Sequence, residues 1–227
     1  MDCRINSGHD EGGSAEETLV IKIWGRNTSA NVQKVMWAIG EIRLPHERID
    51  IGGPFGGNRE PAYLAKNPNG LVPTLEEEDG FVLWESNAIV RYLAAKHRAR
   101  VLEPADPHAR ARASAWMDWQ LSVAAPAISD AFMGLIRTPP DKRNHAAIEE
   151  SKKKTTAAMT ILDGELGKTA YVAGDAFSYG DIPVAVMAYR YRALVPERPA
   201  LPHFERWYAA ISARPAFKAE VAAVPLV

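Results

Sequence analysis

The sequence predicts an α/β N-terminal domain followed by an all-α domain, on three observations. Short apolar, strand-like runs occur only before residue 98. Helix-period segments separate the first two runs and follow the last. After Pro107 the periodic segments have helix spacing, and none alternates like a strand.

Residues 19–24 (LVIKIW) form an apolar run closed by Gly25, as a buried strand does. From Asn31 the pattern changes: Val32, Val35, Met36 and Ile39 fall at i, i+3, i+4 and i+7, one face of a helix. Gly40 and Pro45 punctuate its end. Residues 47–51 (ERIDI) alternate and read as a second strand, followed by the glycine-rich loop GGPFGGNREP. Residues 72–76 and 81–84 flank Asp79-Gly80, which predicts a hairpin with a two-residue turn. A helix follows from Ser86 to about Lys96, with Ile89, Tyr92 and Leu93 as its buried candidates. The order β-α-β, loop, β-β-α is the thioredoxin-like arrangement. Asp106-Pro107 has the form of an N-cap with proline at the first helical position. Helices are expected at about 107–136, 140–166, 179–194 and 202–213. The expected division is a disordered tail over 1–18, a thioredoxin-like domain over 19–97, a linker over 98–106 and a helical domain over 107–227.

The chain has 227 residues, with 27 Lys and Arg against 28 Asp and Glu, a formal net charge of -1. That balance lacks the basic face that nucleic-acid binding needs. The triplet Lys152, Lys153, Lys154 reads as a solvated helix face. No apolar run is long enough to cross a membrane, and the polar first eighteen residues lack the apolar core of a signal peptide. A single cysteine, Cys3, rules out a disulfide framework within the chain and fits a reducing, cytoplasmic location. The 6 histidines show no metal-ligand spacing, and no phosphate-cradling glycine motif is present, so no metal is expected.

The loop from Gly25 to Asn31 ends at a helix start. Such a place gathers free backbone N–H groups and the positive end of the helix dipole, which stabilise an anion, a thiolate included. A hydroxyl there can donate to that anion. Equally, Ser29 or Asn31 can serve only as the helix cap. Further on, Trp116, Met117, Trp119 and Phe132 recur at helical spacing, a pattern of core more often than of a pocket.

Three motifs in order resemble cytosolic glutathione transferases, most closely the bacterial theta- and nu-like members. The first is S-x-N-V-x-K-V-x-W, from Ser29 to Trp37. The second is NP-x-G-x-VP-x-L over 67–75, followed by Glu85-Ser86-Asn87-Ala88-Ile89. The third is Ser178-Tyr179-Gly180-Asp181, the family's S-x-x-D, with the form of a capping box and with Phe177 and Ile182 as its hydrophobic staple. Together they span roughly residues 19–217.

The resemblance implies a detoxifying enzyme that joins the thiolate of bound glutathione to a small hydrophobic electrophile. It implies a homodimer, with glutathione as co-substrate and no metal. In the family the group acting on the sulfur is Tyr, Ser or Cys. Here the first tyrosine is Tyr63 and the cysteine lies in the tail, so a hydroxyl or amide donor remains. Ser29 aligns with the family's serine, Asn31 with an asparagine near the sulfur in nu-like members, and Thr28 is the rival hydroxyl. The Val72-Pro73 bond is expected to be cis, turning the Val72 N–H and C=O toward the cysteinyl backbone of glutathione. Ser86 is expected to take the γ-glutamyl carboxylate and Glu85 the ammonium. Leu71 departs from the polar residue that some theta-like members use for the glycine carboxylate, so Lys66 or the 52–60 loop is a substitute, with Arg59 read as a solvated loop charge. The same thiolate also fits a disulfide reductase or isomerase, and the fold also fits a non-catalytic binding protein.

Overall fold

The computed structural model describes residues 20–227. The expected disordered tail over 1–18 lies outside the described residues. Four strands, β1 (Ile21–Trp24), β2 (His46–Ile49), β3 (Thr74–Glu76) and β4 (Val82–Trp84), form one sheet in the order β2-β1-β3-β4. β1 runs parallel to β2 and antiparallel to β3, and β3 runs antiparallel to β4. This is the mixed sheet that the β-α-β, β-β-α order requires.

Helix α1 (Ala30–Ile42) joins the two parallel strands, and α3 (Ser86–Lys96) follows β4. Between β2 and β3, Pro61–Leu64 forms a short helix, α2, inside what the sequence reads as loop. The α1 burial is wider than its apolar periodicity suggests: every residue from Val32 to Ile39 is buried, Gln33 and Lys34 included. One face packs against the sheet and α3, and the other against the helical half through α7 (Asp181–Leu194). The second strand ends at Ile49, earlier than expected, although Gly25 and Arg26 N–H still bond the carbonyls of Ile49 and Ile51 beyond the ladder.

The hairpin turn is longer than the two residues expected. Glu77 N–H still reaches Phe81 C=O at 2.9 Å, which leaves Glu78-Asp79-Gly80 as the loop, with Gly80 at φ 86. A three-residue loop needs a left-handed residue at its end, and only glycine adopts that without strain.

The helical half begins at α4 (Pro107–Trp119), where the Asp106 carboxylate accepts from Ala109 N–H at 2.8 Å as the expected N-cap. α4 runs through a π-helical turn at Gln120–Ala124 into α5 (Ala125–Phe132), and a second π turn at Met133–Arg137 ends the rod. Pro126 explains the first turn. It has no N–H for the α-helical bond, and its ring crowds the carbonyl four residues back, so the backbone widens ahead of it. α6 (His145–Leu166) starts later than residue 140, at an Asn144 cap that accepts from Ala147 N–H at 3.1 Å. α8 (Pro202–Ser212) and a short α9 (Pro215–Phe217) complete the chain order. The lysine triplet lies on α6 with Lys153 and Lys154 exposed and Lys152 paired to Glu149 at 2.7 Å, a solvated face as read.

The motif at 178–181 differs from the expected capping box: the capping position of α7 (Asp181–Leu194) falls on Gly180, which has no side chain to cap with, and the Ser178 hydroxyl accepts from Gly180 N–H at 3.2 Å. The Asp181 carboxylate, fully buried, accepts from Ser178 N–H (2.9 Å), Val172 N–H (3.1 Å), Trp207 Nε1 (2.9 Å) and the Ser178 hydroxyl (3.3 Å). It therefore ties α7 to the preceding loop and to α8. Phe177 packs on Trp37 of α1 at 5.9 Å and under the Arg214 guanidinium at 3.7 Å.

Candidate active site

Sheet register sets the site. Trp24 pairs with Thr74, and Thr74 with Trp84. Arg26, Val72 and Ser86 each lie two residues past these paired ends, at the same end of the sheet. Close packing agrees: a Cβ on Gly25 would stand 3.2 Å from Val72 Cβ, so the β1–α1 loop lies directly against the Val72-Pro73 step.

Ser29 is the N-cap residue of α1, with φ -79 and ψ 123, and its carbonyl accepts from Gln33 N–H at 2.9 Å. Its side chain makes no capping hydrogen bond. A serine at an N-cap normally turns its oxygen onto the N–H of the second or third helical residue. Here the hydroxyl has no hydrogen-bond partner among the described residues and sits half-buried at the positive end of a 13-residue helix. Thr28 is half-buried beside it, while Asn31 is exposed.

The Val72-Pro73 bond is cis, as the resemblance implied. The Asn-Pro-Asn-Gly segment fixes the backbone in front of it. Leu71 C=O accepts from Tyr63 Oη at 2.6 Å and Asn67 Nδ2 at 2.8 Å, and both side chains also reach the buried Thr74 hydroxyl. Val72 itself lies beyond the ladder, and its N–H and C=O bond to no backbone group among the described residues. Leu71 is 59% exposed and offers no polar group.

Glu85 is the N-cap of α3 with φ 71 and ψ 108, a conformation that side-chain-bearing residues rarely adopt. It is exposed, whereas Ser86 is buried at the first turn of the helix. The neighbouring Asn87 gives its Nδ2 to Met117 C=O at 3.0 Å, and its buried Oδ1 has no partner among the described residues.

Two expectations for the glycine-carboxylate side change. Lys66 is bound to Glu76 at 2.5 Å and lies over the Trp24 ring, so it is not a free cation. Arg59 is not merely solvated: its Nη1 donates to Asn69 C=O at 3.1 Å and braces the loop.

Sequence reading passed over a set of cations around this end of the sheet. Lys34 is fully buried in α1, with Nζ 2.6 Å from Gln120 Oε1. Burial pulls its ammonium down to about 7; the Arg190 guanidinium pushes the same way, and the Glu85 carboxylate opposes them. The Arg26 side chain lies along Gly52 and Gly53, with Nη1 3.3 Å from the point where a Gly52 Cβ would stand and Val72 Cγ1 3.4 Å from that same point. The signal available was Lys34 itself, a charge set among apolar residues of a helix between two layers.

The comparisons agree with this geometry. A family model of the glutathione S-transferase N-terminal domain matches residues 28–96, and one of the C-terminal domain matches 124–215. The chain is 43% identical over 208 residues to glutathione S-transferase GstB of Escherichia coli K12, covering 91% of this chain and 100% of the relative. It is 32% identical over 220 residues to glutathione S-transferase 3 of Zea mays, covering 91% and 95%. A crystal structure of the theta class glutathione S-transferase from Xanthomonas axonopodis pv. citri with glutathione bound superposes with a TM-score of 0.87 at 43% identity, covering 92% of this chain and 100% of that one. With both halves matched in order, the sheet-and-helix architecture shared and the identity sustained over most of its length, the chain belongs to the glutathione S-transferase family.

Proposed function

We propose that the protein catalyses attack of the glutathione thiolate on a small hydrophobic electrophile, and that Ser29 donates the hydrogen bond that holds the thiolate. The observation that carries this reading is the Ser29 hydroxyl, which makes no capping hydrogen bond at the N-terminus of α1 although the residue occupies the capping position. Free thiols have a pKa near 8.5, and a helix N-terminus can lower this to roughly 7. In this reading Thr28 and Asn31 flank the sulfur. Val72 pairs with the cysteinyl backbone beside Leu71 and Pro73, Ser86 receives the γ-glutamyl carboxylate, and Glu85 receives the ammonium.

We place the division between the two halves in the 98–106 linker. No helix among the described residues is long and apolar enough to cross a membrane, and we assign the protein to the cytoplasm. A homodimer fits the exposed Phe81 and Trp84 on the β4 side, an apolar surface that a second copy can cover.

The test is capture on immobilised glutathione followed by conjugation of a chloronitrobenzene. Capture with turnover supports the reading. Capture with turnover of mixed disulfides alone favours the reductase or isomerase, and capture with no turnover favours a binding protein.

A further inference from the structure

The helical half brings two more arginines to the cationic end of the sheet. Arg137, at the end of the rod after α5, holds its guanidinium 5.7 Å from the Phe132 ring centroid, and Arg190 of α7 holds its own 4.1 Å from the same ring. Arg190 is largely buried, and burial lowers its pKa to about 10, with Arg137 pushing the same way. Burial is the main cause that lowers Arg26 and Lys34 as well, with Arg137 adding to the first and Arg190 to the second. Arg137 and Arg190 thus meet on one ring, and the repulsion of their charges reaches Arg26 and Lys34.

None of the four has an ion pair among the described residues, and the buried Nε atoms of Arg26 and Arg190 have no hydrogen-bond partner there. A buried polar group without a partner costs free energy, and a guanidinium more so. Elsewhere the chain does neutralise its arginines: Arg214 meets Glu41 with two bonds, at 2.7 and 2.6 Å. The excess is therefore local. The thiolate brings a single negative charge, the proposed γ-glutamyl carboxylate site lies at Ser86, and the glycine carboxylate of glutathione can answer only the Arg26 charge beside Gly52 and Gly53, which leaves Arg137 and Arg190 without a counter-charge. A further anion is needed, on the side of the site that the helical half covers.

We infer that the electrophile taken by this site carries a carboxylate, held by Arg137 and Arg190, whose guanidiniums meet at the Phe132 ring. The inference rests on the conjugation reading and narrows its substrate class. The step balances without a further reactant. The thiolate sulfur bonds to the carbon bearing the leaving group, the bond from that carbon to the leaving group breaks, and the leaving group departs with the electron pair. The thiol proton passes to water. The guanidinium fork suits a planar carboxylate, and its distance from the reacting carbon fixes which end faces the sulfur.

The test uses the full-length protein and a matched pair, 4-chloro-3-nitrobenzoate and 4-chloro-3-nitrobenzamide. For each, kcat/KM is divided by the uncatalysed rate with glutathione. The wild type should favour the benzoate, and Arg137→Gln, a change at an exposed position, should reduce that preference about tenfold, the worth of one charged hydrogen bond. Arg137→Glu should reverse the preference. Turnover of both compounds with no preference for the benzoate overturns the inference and leaves the conjugation reading standing. So does an equal loss for both in Arg137→Gln, which makes the cluster a partner of the thiolate. A raised KM for glutathione with the preference intact assigns the cluster to glutathione itself and also overturns it. Turnover of neither compound removes the conjugation reading, and the inference with it.

Discussion

Lys34 of α1 reaches out of the sheet-bearing half and places its Nζ 2.6 Å from Oε1 of Gln120, at the π turn between α4 and α5, with both side chains buried. A buried amine keeps its proton poorly, since desolvation penalises the charged form. Its folded pKa, about 7, lies below the ordinary lysine value near 10.4. Between those values the unfolded chain binds more protons than the folded one, so stability rises with pH across this window. The slope reaches about 1.4 kcal/mol per pH unit for one proton. Lys34→Met should flatten this rise in urea unfolding followed from pH 7 to about pH 10. An unchanged slope would mean that Lys34 stays protonated in the fold.

Asp181 titrates with the opposite sign. Burial pushes its carboxyl up to about 6, against the pull of its N–H and O–H donors. The folded protein then binds the proton more tightly than the unfolded chain, whose carboxyl titrates near 3.9. The stability contributed by the protonated form is present below that value and lost as pH rises through about 6. Relative to Asp181→Asn, the wild type should lose stability from about pH 4 to pH 6 and hold level above. Asp181→Ala should cost about 3 kcal/mol or more, because the Val172 and Ser178 N–H groups and Trp207 Nε1 lose their acceptor inside the core. The loss of a surface cap costs only about 0.5–2 kcal/mol. Glutathione affinity of the folded Asp181→Ala protein should stay near wild type, and a large loss at unchanged melting temperature would contradict that role.

Glu85 separates stability from binding. Its φ of 71 is unfavourable for any residue with a Cβ, by about 1–3 kcal/mol, and glycine escapes that cost. Glu85→Gly should therefore raise the melting temperature while weakening glutathione. Glu85→Gln should lose most of the preference for glutathione over an analogue lacking the γ-glutamyl ammonium, measured by calorimetric titration. The loss amounts to about 1.5–3 kcal/mol if water is kept out of the contact. Equal discrimination by Glu85→Gln and wild type would show that another group holds the ammonium.

Local chemistry made much of this legible in the sequence. The Asp106-Pro107 start, the helix from Ser86 to Lys96 and the side of α1 carrying Val32, Val35, Met36 and Ile39 follow from caps and periodicity within a few residues. The hairpin missed by one residue because Asp79-Gly80 fits either turn, and the Glu77–Phe81 pairing decides between them. Lys66 looked like a free cation because its partner, Glu76, sits across the loop on β3. The cationic cluster was least legible. Lys34 and Arg190 come from helices far apart in the chain, and no local pattern marks Arg26 or Arg137 as lacking a carboxylate.

The most direct measurement follows the ultraviolet absorbance of the glutathione thiolate, bound to the enzyme, against pH in wild type and Ser29→Ala. In the wild type the bound thiol should titrate about one to two units below the 8.5 of a free thiol. Ser29→Ala should move the midpoint back toward that value and lower kcat more than it raises KM for glutathione. Coincident titration curves for the two proteins would contradict the role of Ser29 and transfer it to Thr28 or Asn31.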